Sequence, residues 1–159
     1  MFIDLLGLNG VEKIDNFFIM RLIDGTASWS SAESENVRFQ AKNICDFVVS
    51  YKGKMMLLEL KSVLKSSLPF GNIKNSQIEG LTKAFNKNAS HMFIGFLVNF
   101  RDHEETYFMS IDQFNQYVTE AERKSIPIDY FRNNCILVEQ KKKKVRYSYD
   151  IEKFMDRLN

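Results

Sequence analysis

The stretch from Cys45 to Ser62 constrains the fold of this chain more than any other, because its pattern predicts a β-hairpin. Two apolar, β-prone runs, Phe47 to Tyr51 and Met55 to Leu60, are separated by Lys52-Gly53. Glycine readily adopts the positive φ that a tight two-residue hairpin loop requires. The segment is therefore predicted to fold back on itself.

The register of this hairpin determines which side chains meet. With Lys52 and Gly53 as the two loop residues, Asp46 lies directly opposite Glu59 and on the same face of the sheet. A three-residue loop would shift the pairing by one residue and turn Asp46 to the other face. Lys61 follows Glu59 by two positions along the same strand, so these two side chains share a face in either register.

Two opposed carboxylates repel each other, and a cation between them would compensate. Mg²⁺ prefers oxygen ligands, commonly takes one or two carboxylates, and leaves positions for water and phosphate. A metal held by Asp46 and Glu59 suits phosphodiester hydrolysis, in which the metal activates water and stabilises charge on phosphorus. Lys61 would orient or deprotonate the water, or neutralise the phosphate. Alternatively, Glu59 and Lys61 are only the exposed, charged end of a core strand.

Composition predicts one compact domain that spans residues 1–159. The chain is 45% hydrophobic and 26% charged, and no run approaches the length of a membrane span. The N-terminus lacks a signal-peptide pattern, which predicts a cytoplasmic protein without membrane association. Cys45 and Cys135 have no metal-ligand spacing, so we expect two reduced, buried thiols.

Positive charge is concentrated around the candidate site. Residues 36–88 hold nine basic and three acidic side chains, whereas residues 1–35 hold two basic and six acidic ones. Nucleic-acid phosphates bind where positive potential collects. Lys42, Lys65 and Lys74 are therefore predicted DNA contacts.

A helix is predicted after the hairpin. It should begin between Asn72 and Asn75 and end near Lys87, with Ile78, Leu81 and Phe85 as its buried stripe. Gln77 borders this stripe and points toward the sheet. Its amide either faces the candidate site or caps the end of a strand.

The remaining chain alternates between strand and helix patterns. The pattern is interrupted between Arg123 and Pro127. Expected elements are strands at Phe17–Ile23, His91–Phe100 and Glu105–Ser110, helices at Ile111–Val118 and Ile151–Leu158, and an edge hairpin formed by Cys135–Glu139 and Val145–Tyr149 around Gln140–Lys144.

Taken together, these motifs resemble the RecU family of Holliday junction resolvases, which belongs to the PD-(D/E)xK nuclease superfamily. The motifs occur in the family's order and span roughly residues 38 to 130. They are Phe39-Gln40 through Asp46, YKGK at 51–54, Glu59-Leu60-Lys61, SLPFGNI at 67–73, SQIE at 76–79 and RKSI at 123–126.

The resemblance implies an α/β fold with a restriction-endonuclease-like core, in which a mixed β-sheet is flanked by helices. It implies a Mg²⁺-dependent endonuclease, with Mn²⁺ able to substitute, that nicks four-way DNA junctions symmetrically as a homodimer. Asp46 and Glu59 would bind the metal together with the main-chain carbonyl of Leu60. Lys61 would be the catalytic lysine, and Gln77 would be the glutamine that borders the active site from a helix.

Two departures from the family pattern leave alternatives open. RecU proteins carry a long stalk that enters the junction, whereas only the loop at residues 24–36 is available here. The superfamily often uses an acid on its first helix, and this chain offers several candidates. The candidates are Glu12, Asp4, Glu33 and Glu35. The sequence therefore also fits another PD-(D/E)xK nuclease of restriction or repair type, or a branched-DNA-binding protein of this fold with impaired catalysis. The small size suggests a phage-like member.

Overall fold

The secondary structure comes from a computed structural model that describes residues 2–3, 15–22, 43–88, 92–144 and 147–158. The strands in this part of the chain are β1 Phe2–Ile3, β2 Phe17–Arg21, β3 Phe47–Tyr51, β4 Lys54–Val63, β5 Ser67–Pro69, β6 Met92–Phe100, β7 Glu105–Ser110, β8 Ser125–Pro127, β9 Ile136–Leu137, β10 Gln140–Lys142 and β11 Tyr147–Asp150. The α-helices are α1 Asn75–Asn88, α2 Ile111–Glu120, α3 Ile128–Asn134 and α4 Ile151–Asp156.

A six-stranded mixed sheet forms the centre of the fold, in the order β2-β3-β4-β6-β7-β9. Strands β4 and β6 run parallel, and the other neighbours in this sheet run antiparallel. A parallel pair needs a crossover connection, and α1 lies within the one that joins β4 to β6. The predicted α/β fold, a mixed sheet flanked by helices, is confirmed.

The two faces of this sheet pack against different helices. Leu57 and Val63 of β4 belong to the hydrophobic cluster on one face, and Leu58 belongs to the cluster on the other. Because side chains alternate along a strand, Glu59 and Lys61 project from the same face as Leu57. The helix residues buried in the clusters are Leu81 of α1, Phe114 of α2 and Phe131 of α3 on that face, and Phe154 of α4 on the opposite face.

The hairpin of β3 and β4 has the predicted two-residue loop. Lys52 and Gly53 both have positive φ, 47° and 78°, as a type I′ turn requires. Tyr51 accordingly pairs with Lys54, and the ladder continues in the predicted register. The three-residue loop is excluded.

Several other predicted elements are confirmed with small shifts at their ends. Helix α1, strands β6 and β7, and helices α2 and α4 lie where the sequence pattern places them. Helix α2 begins with a capping box, in which the Ser110 hydroxyl accepts from the Gln113 backbone and the Gln113 side chain accepts from the Ser110 backbone. The predicted β2 ends earlier, at Arg21.

The predicted C-terminal hairpin is wrong in its first strand. Ile136–Leu137 does not pair with the end of the chain but extends the central sheet beside β7. Val138 follows with its backbone N–H donating to the Thr106 carbonyl, and its side chain is buried. The hairpin instead pairs Gln140–Lys142, predicted as the turn, with Tyr147–Asp150. The pairing of Ile136–Leu137 with β7 and the burial of Val138 outweigh the local hairpin pattern.

The segment from Arg123 to Pro127, where the sequence pattern is interrupted, contains a short strand. Strand β8 pairs with β5, and Leu68 meets Ile126 in this two-stranded ribbon. Both side chains are fully buried. Short strands of this kind have no sequence period long enough to recognise.

Two expectations from composition can be compared with the fold. Cys45 and Cys135 are free thiols, the first buried and the second half-buried. No helix in the described ranges is sufficiently long and apolar to cross a membrane.

Arg132 of α3 joins its helix to the start of β7 through Glu105. Its Nη2 lies 2.7 Å from Glu105 Oε1 and its Nε lies 3.0 Å from Oε2, a bidentate ion pair. The Tyr107 hydroxyl also donates to Glu105 Oε2, at 2.5 Å. These contacts, that of Arg132 above all, lower the pKa of the Glu105 carboxyl despite partial burial.

We expect Glu105→Gln to lower the stability of the protein at neutral pH and to have little effect in acid. The folded-state pKa of Glu105 lies below its ordinary value of 4.5, so its stabilising contribution is present above that value and is lost as the pH falls through the folded-state pKa. Urea unfolding at pH 7 and near pH 3 measures the difference. The exposed Glu122→Gln is the matched control, and an equal loss of stability at both pH values would contradict the prediction.

Candidate active site

Glu59 and Lys61 form a buried ion pair on β4. The Lys61 Nζ lies 3.0 Å from Glu59 Oε1. The Lys61 side chain is 13% exposed and the Glu59 side chain 4% exposed. Burial raises the pKa of Glu59, the hydrogen bond from Lys61 opposes this, and the charge of Asp46 raises it further, so that the pKa is above its ordinary value. The alternative of an exposed, charged strand end is therefore excluded.

Asp46 lies immediately before β3, where the chain leaves the ladder. The last ladder pair is Phe47 with Leu58, one residue short of the predicted pairing of Asp46 with Glu59. The Asp46 N–H instead donates to the Leu58 carbonyl at 3.0 Å, and its Oδ2 accepts from the Leu60 N–H at 2.8 Å. The local hairpin pattern thus brings the two carboxylates close enough for electrostatic repulsion, but not as a regular cross-strand pair.

Gln77, near the start of α1, contacts both members of the ion pair. Its Oε1 accepts from Lys61 Nζ at 3.0 Å and from the Lys74 backbone N–H at 3.2 Å. Its Nε2 donates to Glu59 Oε1. Of the two roles left open by the sequence, the amide faces the site, and it also satisfies a backbone donor at the helix N-terminus.

The donor set fits a hard divalent cation. Asp46 Oδ1 and Glu59 Oε2 make no hydrogen bond to any described residue, so each carboxylate keeps one oxygen for a ligand. In an extended strand the N–H and C=O of one residue point the same way, so the Leu60 carbonyl faces the side on which its N–H meets Asp46. Two carboxylates and a carbonyl suit Mg²⁺, which retains several waters. Beyond this pair of carboxylates, the described residues contain no larger cluster, of three or more His, Cys, Asp or Glu side chains, that could hold a metal.

The other predicted site residues are placed only in part. Lys65 and Lys74 are both exposed, Lys65 just beyond the end of β4 and Lys74 just before α1. Lys42 lies outside the described residues. So do the four alternative acids, Asp4, Glu12, Glu33 and Glu35, and the loop at 24–36.

Cys45 is a neighbour of the site that the sequence did not connect with it. Its thiol is 2% exposed, and its Sγ lies 3.5 Å from the Phe47 carbonyl oxygen. Burial raises its pKa to about 11, and the charges of Glu59 and Asp46 act in the same direction. The thiol is therefore neutral and serves as apolar packing beneath the carboxylates. Its position directly before Asp46 was the only available signal.

The structure thus brings together a buried acid and lysine on β4, a second acid immediately before β3 and a glutamine on α1, the set of side chains that the sequence motifs predicted. Comparison with known proteins assigns the family. The family model RecU, Recombination protein U, matches residues 19–153. The chain belongs to the RecU family, as its motifs indicated.

The chain is also similar to individual proteins. A SPbeta prophage-derived uncharacterized protein of Bacillus subtilis, YotM, is 32% identical over 133 residues, which cover 74% of this chain and 67% of the relative. The Holliday junction resolvase RecU of Mycoplasmopsis pulmonis is 27% identical over 130 residues, or 80% of this chain and 78% of the relative. Among solved structures, the Holliday junction resolvase Hjc of Archaeoglobus fulgidus aligns with a TM-score of 0.46 at 11% identity, covering 77% of this chain and 83% of Hjc.

Proposed function

We propose that this protein is a divalent-metal-dependent endonuclease that resolves four-way DNA junctions. Membership of the RecU family supports a nuclease that acts on branched DNA, and the relative from Mycoplasmopsis pulmonis is named a Holliday junction resolvase. The observation that carries the proposal is the cluster in which Glu59, Lys61 and Gln77 share hydrogen bonds beside Asp46. It combines available carboxylate oxygens with an ammonium group, as phosphodiester hydrolysis requires.

The metal ligands in this proposal are Asp46, Glu59 and the carbonyl of Leu60. Mg²⁺ is the expected ion, with Mn²⁺ as a substitute. Bound there, the ion would activate a water molecule and stabilise the charge that develops on phosphorus. Burial of Glu59 strengthens its attraction for a cation, because the local dielectric is low.

Lys61 supplies positive charge at the reacting phosphate. An ammonium group has three N–H donors, and two of them are directed to Glu59 and Gln77 at 3.0 Å. The third is available to a phosphate oxygen or to the attacking water. Gln77 holds Lys61 through its oxygen and Glu59 through its nitrogen, so it keeps both groups oriented before DNA binds.

The remaining parts of the proposal concern the DNA and the assembly. Lys65 and Lys74 are exposed, and with Lys42 they would contact the DNA backbone without reading sequence. Two strands of a four-way junction must be cut symmetrically. A homodimer with two identical sites satisfies this requirement, and each chain would contribute residues 1–159 as one nuclease domain that acts on DNA in the cytoplasm.

The test is cleavage of a labelled mobile four-way junction beside linear duplex and flap substrates, with Mg²⁺ and with EDTA. We expect paired, symmetric nicks on the junction alone, and no products in EDTA. Sedimentation at working concentrations should give twice the monomer mass. Equal cutting of every substrate would contradict junction selectivity, and tight junction binding without cutting would contradict the nuclease assignment.

A further inference from the structure

Gly80 lies where α1 contacts the segment that leads into Asp46. A Cβ atom built on Gly80 would be 2.5 Å from Ile44 Cγ2 and 2.9 Å from Ile44 Cβ. Both distances are well inside van der Waals contact, which for carbon atoms is optimal at about 3.5–4.0 Å. The helix can therefore approach Ile44 this closely only because residue 80 has no side chain.

The segment around Ile44 cannot easily withdraw from a larger residue. The Asp46 N–H donates to the Leu58 carbonyl at 3.0 Å, and the Asp46 carbonyl accepts from the Leu22 N–H at 2.8 Å. Cys45, between Ile44 and Asp46, is 2% exposed and packs in the core. A side chain at position 80 would therefore displace the helix rather than the segment.

Displacement of the helix would move Gln77. Residues three apart lie on adjacent turns of the same helix face, so Gln77 and Gly80 face the sheet together. The Gln77 amide holds Lys61 Nζ at 3.0 Å and also donates to Glu59, and hydrogen bonds weaken quickly as distance and angle depart from these values. The Gly80 contact with Ile44 is thus the place where the helix carrying Gln77 meets the segment carrying Asp46.

From this contact we infer that Gly80 is a positioning residue for the active site. Its missing side chain sets the depth at which α1 is seated against Ile44, and this depth places the Gln77 amide against Glu59 and Lys61. Glycine inside a helix ordinarily weakens the helix relative to alanine. At this position the close approach offsets that cost. The inference rests on the proposed nuclease activity only for its catalytic readout.

The test compares Gly80→Ala with Gly71→Ala, the matched control, because a Cβ at Gly71 meets nothing within 4 Å. We expect Gly80→Ala to lower kcat for junction cleavage about 10-fold or more, since small misplacements at a catalytic site have effects of this size. Junction binding, followed by fluorescence anisotropy, should stay within about twofold, as expected for a loss of catalytic geometry rather than of substrate binding. Gly71→Ala should cleave like the wild type.

A compensating change identifies the cause. Ile44→Gly removes both Cγ2 and Cβ, the atoms that lie 2.5 and 2.9 Å from the new Cβ, and leaves the Cα of residue 44 at 3.8 Å. The double variant Gly80→Ala/Ile44→Gly should therefore regain much of the lost kcat. If Gly80→Ala fails to fold, the double variant should fold and cleave. Failure of the double variant to recover folding or cleavage would overturn the inference, as would wild-type cleavage by Gly80→Ala.

A second readout does not depend on nuclease activity. The side-chain NH₂ of Gln77 donates to Glu59, and its NMR resonances can be assigned by their loss in Gln77→Ala. These resonances should shift in Gly80→Ala, stay in place in Gly71→Ala and return toward their original positions in the double variant. If the wild type proves unable to cut DNA, the proposed function fails while this readout still tests the seating of α1. Unchanged Gln77 resonances in Gly80→Ala would overturn the positioning role in either case.

Discussion

Asp46→Asn is expected to lower junction cleavage at least about 10³-fold, the scale of losses when a central catalytic group is removed. The same change should leave the metal-free fold intact. The Leu60 N–H donates to Asp46 Oδ2 at 2.8 Å, and the asparagine carbonyl oxygen can accept the same bond, although without the charge of the carboxylate. Loss of cleavage would therefore report the missing charge rather than a damaged fold.

In the absence of metal, Asp46→Asn should be slightly more stable than the wild type. The charge of Asp46 raises the pKa of the buried Glu59, which means that the two carboxylates repel each other. Removal of this repulsion should raise the free energy of unfolding by up to about 1 kcal/mol, the scale of a cross-strand pair of charges. Melting in EDTA measures the change.

Metal binding supplies the third measurement. Mg²⁺ that binds only the folded wild type should raise its melting temperature, and this rise should be absent in Asp46→Asn. Glu122→Gln, which removes an exposed carboxylate beyond the end of α2, is the control and should match the wild type in cleavage, melting and response to Mg²⁺. A metal-free Asp46→Asn that melts well below the wild type would show that this carboxylate is structural rather than a metal ligand.

The second large effect is expected for Lys61→Ala. Cleavage should fall at least about 10²-fold, because the ammonium group that stabilises developing charge is lost. Stability should fall as well, by about 1–3 kcal/mol, since Glu59 keeps its burial but loses its cationic partner. Junction binding should change little, because exposed lysines would make most of the contacts to the DNA backbone and Lys61 would reach only the phosphate that is cut.

The stability loss in Lys61→Ala should depend on pH. Burial is the largest cause of the raised pKa of Glu59, and the hydrogen bond and the charge of Lys61 are the main opposing contributions, so the pKa rises further without Lys61. An acid whose folded-state pKa is raised destabilises the folded state above its unfolded pKa. The loss should therefore be largest at neutral pH and shrink as the pH falls toward 4.5, the ordinary value for glutamate.

Two further variants separate stability from catalysis. Addition of Glu59→Gln to Lys61→Ala removes the unpaired buried charge, so it should restore much of the stability and none of the cleavage. Lys83→Ala, on an exposed position of α1, is the matched control and should melt and cleave like the wild type. A stability loss in Lys61→Ala that is the same at pH 5 and pH 8 would argue against an unpaired Glu59 as its cause.

Strand β4, which carries the candidate site residues Glu59 and Lys61, was predictable because its determinants are local. Lys52-Gly53 permits a two-residue turn, and this turn sets the register through Phe47 and Leu58. Alternation along β4 then places Glu59 and Lys61 on one face without any knowledge of the remaining fold. Strand periodicity does not predict that Asp46 leaves the hydrogen-bonded ladder. Its N–H donates to the Leu58 carbonyl, and Asp46 does not pair with Glu59.

The C-terminal third was predicted less well, since its pairings connect distant residues. Ile136–Leu137 joins β7, and β8 joins β5 some 58 positions earlier, as in the pair of Leu68 with Ile126. Such contacts depend on which apolar surfaces of the central sheet are still exposed after the sheet has formed. Hydrophobic periodicity along the chain does not indicate which distant strands will pair.

The sequence by itself therefore determined the hairpin, its register, the family motifs and the residues that bring an acid pair and a lysine together, because short-range turn geometry and strand periodicity set them. Only the tertiary structure decided how deeply the site is buried and how closely α1 approaches it. The hydrogen bonds of Gln77 to Glu59 and Lys61, and the approach of Gly80 to Ile44, depend on how α1 packs on the sheet. That packing is a property of the whole core, in which each contact is fixed by the others.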